Sequence, residues 1–267
     1  MNITEDMLPN YDSVLFKNPA LELSLVQLKY PPIPRFTEEN FLIGIQEALA
    51  EEYPLVSIEQ GMNIVISLQG IGQSPGSNML RFSTLDSLWS VVLTNETVSL
   101  ETREYTSINE FAKRWTDILA IVATHLQPRH QLRIGLRYIN EFRHPAGDNY
   151  GAWSQWLNLE LVGANLNNIF GGSIEQTIGE IRTHREDGMV LLRHGFLKGT
   201  TVIPTLSHPA KAGPFYLLDL DYYDETAIKF NASSSADCVI RYNDFLYRIF
   251  RWAIGEGELY QYVRGEL

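Results

Sequence analysis

Leu21, Leu23 and Leu25 alternate with Glu22 and Ser24, after which the apolar phase moves to Val26, Leu28 and Tyr30. A period of two with one slip predicts a strand carrying a bulge, ended by Pro31, Pro32 and Pro34. Thr37 stands where a cap opens a helix with Phe41, Leu42, Ile45, Leu49 and Tyr53 on one face, and Pro54 stops it. Strand-like runs at 63–69, 78–84, 89–94 and 97–102 follow, with Asn95 and Glu96 as a tight turn, and read as an antiparallel meander. Ser107 and Glu110 then form a capping box ahead of a long helix whose stripe is Phe111, Trp115, Ile118, Leu119 and Val122, closed by Pro128.

The second half opens in the same way. Leu132, Ile134, Leu136 and Tyr138 alternate with Arg133, Gly135 and Arg137, which predicts a strand. A helical region broken at Gly171 and Gly172 is expected next: one piece spans 153–161, and the other starts at Ser173, which forms a second capping box with Gln176 before Ile174, Ile178 and Ile181. Strands return at 189–197, 200–205, 215–223 and 227–230. The serines at 233–235 then open a final helix with Val239, Tyr242, Phe245, Leu246, Ile249, Phe250 and Ala253 on one stripe.

Each half therefore reads strand, helix, antiparallel strands, long helix. The expected class is α+β, with halves at 1–128 and 129–267 forming one compact unit. The repeated order suggests an internal duplication into two halves, each an antiparallel sheet backed by helices, and at the level of fold alone it resembles the duplicated saddle of TATA-binding-like proteins.

Composition narrows the function classes. The 267 residues are 45% hydrophobic and 20% charged, enough to bury a core and outside the disordered range. Acidic residues in the first ten positions and the absence of an apolar run long enough to span a bilayer predict neither export nor membrane insertion. A single cysteine, Cys238, fits a cytoplasmic protein in which it is a small buried residue. A formal charge of −11 repels phosphate backbones, so nucleic acid is disfavoured as a partner and a protein partner is favoured.

Three groups of residues could carry chemistry. Arg129, His130, Arg133, Arg137, Arg143 and His144 make the most basic stretch; Arg133 and Arg137 share a strand face and, with Asn140, form a candidate anion site, because a guanidinium fork matches phosphate or carboxylate oxygens. Asp219 and Asp221, two apart on a strand, could hold a divalent cation, or they could be the ion-pair partners of those arginines. Tyr247, Trp252, Tyr260 and Tyr262 lie among more aromatics than one buried stripe uses, and are candidates for a partner-binding surface.

Other motifs are weaker. His194 alternates with Leu192 and Phe196 and reads as a hydrogen-bonded core histidine or a general base. The glycines at 70, 72 and 76 lack the lysine and helix of a phosphate loop and read as a hairpin tip. The histidines show no metal-binding spacing, and no cofactor is expected.

Asn18-Pro19, the strand from Leu21 to Tyr30 ending in Pro31-Pro32, the segment Leu136-Arg137-Tyr138-Ile139-Asn140 and the segment Leu218-Asp219-Leu220-Asp221 together carry a resemblance. Over nearly its whole length the chain resembles a sporadically distributed family of uncharacterised bacterial and archaeal proteins, departing from it at Lys29-Tyr30, where arginine and phenylalanine are more typical. The resemblance implies no activity or catalytic residue. Patchy distribution implies mobile or defence-linked genes, hence an accessory or regulatory protein in a phage-defence or toxin-antitoxin module. The alternative is a small-anion or nucleotide-binding protein, or a metal-dependent enzyme, using Arg133, Arg137, Asp219 and Asp221.

Overall fold

A computed structural model describes residues 7–67, 70–162, 172–200 and 211–266. Its hub is β1 (Leu21–Lys29), which pairs antiparallel with β5 (Thr97–Thr102) on one side and with β7 (Arg133–Phe142) on the other. Odd residues Leu23 and Leu25 join Ile139 on one face, whereas Val26 and Leu28 join Leu136 on the other. The phase change that reads as a bulge near Leu25 is thus a strand with apolar clusters on both faces; the register irregularity falls between Leu21 and Leu23.

Beyond β5 the sheet continues through β4 (Trp89–Leu93) and β3 (Gly70–Ser83) to β2 (Leu55–Ser67). Beyond β7 it continues through β10 (Ala212–Asp224) and β9 (Gly188–Thr200) to β8 (Gly179–Arg185). All the pairings are antiparallel, and because β1 pairs with β7 across the halves the strands form one nine-stranded sheet rather than the expected separate sheet in each half. A small ladder links β6 (His130–Gln131) to β11 (Ile228–Lys229).

The helices are α1 (Glu39–Leu49), α2 (Ile108–His125), the short α3 (Tyr150–Trp153) and α4 (Leu159–Val162), α5 (Ala232–Ile254) and α6 (Glu258–Arg264). All of them feed one core. Ile45, Trp115, Trp153, Leu161, Leu246 and Val263 belong to the same buried cluster as Val26, Leu100, Leu136 and Leu220 of the sheet. The predicted stripe of α2 is wholly buried, as the 3.6-residue period requires of a helix laid on a sheet. On the opposite face a smaller cluster of Leu23, Ile139, Leu197, Phe215 and Leu217 comes from strand residues alone. The chain is α+β with its described helices on one side of the sheet. Among the described residues no helix is long and apolar enough to cross a membrane.

Local chemistry decides the element ends. Ser107 Oγ accepts from the Glu110 amide at 3.2 Å, as the capping box predicts, while the Glu110 carboxylate turns to Thr106 and Arg114. Thr37 does not cap α1: it closes a 3₁₀ turn (Pro34–Thr37), and Glu38 precedes the helix without a side-chain cap. Asn231 rather than a serine caps α5, its side chain accepting from the Ser234 amide.

The helix expected from Ser173 is absent. Gln176 and Thr177 instead bridge to Leu197 and Phe196 and lead into β8, because the β9 edge offers hydrogen bonds that outweigh a local cap. Gly70 starts β3 at the end of the β2–β3 hairpin, where it pairs with Ser67, while Gly72 and Gly76 lie within the strand rather than at the tip. The strand expected at 200–205 lies, apart from Thr200, outside the described residues.

Candidate functional site

The face of the sheet opposite the described helices carries Arg133, Arg137, Asp219 and Asp221. Strand alternation sends Arg133 and Arg137 of β7, Asp219 and Asp221 of β10, Arg193 of β9 and Glu180 of β8 to this side, in neighbouring rows. Arg137 faces Asp221 in the register, yet its guanidinium reaches diagonally to Asp219, with Nε and Nη2 donating at 2.7 and 2.8 Å. Arg193 adds a contact to the same carboxylate at 3.3 Å and donates to Glu180 at 2.9 Å. Arg133 donates to Asp221 at 3.1 Å.

The result is a ladder of alternating sign across four strands. Its centre is dry: the Asp219 side chain is 1% exposed, and burial holds the Asp221 carboxyl above its ordinary value despite Arg133 and Arg137 nearby. Burial pulls the Arg137 guanidinium down, but the charge and hydrogen bonds of Asp219 outweigh this and raise it overall.

Gly135 makes the Arg133 arrangement possible. A Cβ there would lie 2.9 Å from Arg133 Nη1 and 3.0 Å from Tyr223 Cβ, so the missing side chain lets the guanidinium fold over the Tyr223 ring, 4.6 Å from its centre. A second ladder occupies the other half of the face, where Arg81 of β3 bridges Glu59 of β2 at 2.9 Å and Glu101 of β5 at 2.8 Å. Between the two ladders a row of small or neutral side chains runs Val92, Ser99, Gln27, Gly135.

This geometry sorts the expected site residues. Arg133 and Arg137 come together but are engaged by the aspartates, the ion-pair alternative noted from the sequence. Asn140 does not join them: it faces the helices, is 3% exposed and donates to the Leu218 carbonyl at 3.0 Å, so the three-residue anion site does not assemble. Asp219 and Asp221 spend their lone pairs on guanidinium groups, an environment that repels a cation. Among the described residues no cluster of three His, Cys, Asp or Glu side chains could hold a metal.

The aromatic candidates are packed against the chain itself. Tyr260 is 7% exposed, Tyr247 bonds to residues 12 and 14, Tyr262 meets His144 edge-on with ring centres 4.7 Å apart, and Trp252 lies partly buried against the core. Arg193, Glu180 and the trio Glu59, Arg81 and Glu101 were not singled out from the sequence. Each sits at an alternating strand position, a signal that marks the face but not its partner.

His194 lies on the helix side, with Nδ1 2.9 Å from Tyr216 Oη. Burial pushes its pKa down to about 4, which makes it a neutral core histidine. It borders a cavity of about 680 Å³ together with Tyr150, Ser173, Glu175 and Thr177. Cys238 is buried, donates to the Ser235 carbonyl, and is pushed up to about 12 by burial. No protein-family model matches the chain, and no curated protein matches it in sequence.

Proposed function

We propose that the protein is a non-catalytic accessory or regulatory protein that docks a folded protein partner on the face of its sheet opposite the described helices. The observation that carries this reading is the state of the arginines. Arg133, Arg137 and Arg193 are each fixed by carboxylates yet keep 22%, 20% and 19% of their side chains exposed. Guanidinium planes held in this way offer rigid donors whose ordering cost is already met within the fold, and arginine is enriched in protein interfaces.

Charge within the ladders is largely neutralised, so the face lacks the unbalanced positive patch that would draw a polyanion to a chain of formal charge −11. The setting in a phage-defence or toxin-antitoxin module rests on the family resemblance.

Gln27 stands between the ladders, outside both, and a Gln27→Trp variant places a bulky side chain at the centre of the face. Wild-type and Gln27→Trp proteins of equal melting temperature serve as baits in the native host. A host protein retained at least about tenfold better by the wild type, about 1.4 kcal/mol, supports the reading. Retention of every bound protein equally by both baits, or of nucleic acid alone, refutes it.

A further inference from the structure

Residues 7–20 form neither helix nor strand and run across α5 and α6 as an extended arm. Its inward side chains are Leu8, Tyr11, Val14, Phe16 and Ala20, of which Leu8 and Phe16 pack against the main core and Ala20 belongs to it. The Arg251 guanidinium lies between the Tyr11 and Tyr260 rings, 4.7 and 4.3 Å from their centres. Phe16 meets Phe250 and Tyr260 edge-on, with ring centres 5.5 and 6.2 Å apart. Tyr247 Oη donates to the Asp12 carbonyl at 2.9 Å and accepts from the Val14 amide at 3.2 Å, while Asn18 bonds through its amide to Val263 and through its side chain to the Tyr262 carbonyl.

Two properties separate this contact from ordinary core packing. The groove has internal contacts of its own: Arg251 is also held by Glu256, Tyr260 and the Tyr247 hydroxyl, all on the C-terminal helices or the turn between them. The arm, by contrast, is held mainly through side chains. Among the described residues its one backbone-to-backbone hydrogen bond before Pro19 is the Asn18–Val263 contact, and Leu15 and Met7 are 75% and 99% exposed. Segments outside the backbone hydrogen-bond ladders are the ones that open locally ahead of the core.

We propose that the α5/α6 groove is a recognition site for an extended Tyr-x-x-Val-x-Phe-x-Asn segment, that Tyr11 to Asn18 fill it in cis, and that a partner protein presenting such a segment binds by displacing the arm. The seated arm itself defines the chemistry of that partner: an aromatic ring to cover Arg251, a second ring between Phe250 and Tyr260, and an asparagine to cap the carbonyl end of α6. This surface is separate from the sheet face and does not depend on that reading.

A tethered segment competes at an effective concentration near the millimolar range, so the same peptide in trans binds the intact chain poorly. The test is a fluorescein-labelled peptide Tyr-Asp-Ser-Val-Leu-Phe-Lys-Asn titrated by anisotropy into the full chain and into the full-chain Tyr11→Ala/Phe16→Ala variant. Saturable binding to the variant, at least about tenfold weaker binding to the wild type, and none by a peptide with alanine for phenylalanine are expected.

Amide exchange of the wild type supplies the second reading, in which Val14 opens while the α5 amides stay protected. Failure of the peptide to bind the folded variant overturns the proposal. So does a variant that does not fold, or Val14 exchange that coincides with that of α5, because either makes the arm part of the cooperative core.

Discussion

Replacing Asp219 with asparagine removes one charge from a dry point of the sheet face and leaves its shape intact. The carboxylate accepts three hydrogen bonds from Arg137 and Arg193, and its side chain is 1% exposed. Breaking a buried pair by removing one partner costs about 3–5 kcal/mol, since the other charge is left uncompensated. Here both arginines keep about a fifth of their side chains in contact with water, which favours the lower end, about 3 kcal/mol.

For a chain of this size that corresponds to a melting temperature lower by about 5 °C. Urea unfolding followed by tryptophan fluorescence and circular dichroism measures it, the midpoint falling at unchanged slope. Arg137→Met, which keeps the aliphatic stem, completes a cycle in which the double variant is less destabilised than the two single losses combined by about 2 kcal/mol. A loss below about 1 kcal/mol for Asp219→Asn, or strict additivity in the cycle, would show that the ladder is a solvated surface pair and refute the reasoning.

Three further outcomes follow from the same structure. Unfolded, His194 takes up a proton near its ordinary 6.5, but folded only near about 4; stability is therefore complete above about 6.5 and falls as pH drops toward 4, by up to about 3 kcal/mol, and His194→Gln flattens that part of a pH series of urea midpoints. Gly195→Ala puts a Cβ 1.8 Å from the Thr177 carbonyl oxygen, so the strand leading into β8 must move; a loss of more than about 2 kcal/mol is expected, and a neutral result would contradict the close approach. Cys238 should react with a thiol reagent only at the rate of unfolding, because the thiol is buried and poorly ionised; rapid labelling of the native protein would show that α5 opens locally.

Periodicity was legible where one element faces one environment. The α2 stripe and its serine cap, the alternation of β7 and the stripe of α5 each follow from a local pattern repeated over many residues. The misplacement of Asn140 was also open to correction from the chain, because a residue three positions from Arg137 falls on the opposite face of any regular strand. The segment after Ser173 shows the reverse case: its capping box is sound locally, yet the β9 edge supplies backbone partners that a free peptide lacks.

What the amino-acid order determined alone is the alternation of elements, their α+β character, and the opposite charges of Arg133, Arg137, Asp219 and Asp221. Which carboxylate each arginine takes depends on the antiparallel register of β7, β10, β9 and β8, set by hairpins and crossovers far apart in the chain. The surplus aromatics near the C-terminus were likewise visible, but what covers them is an arm more than 200 residues away along the chain. Pairings of that kind leave no local periodic trace, since each rests on two distant stretches meeting in space, and only the tertiary structure decides them.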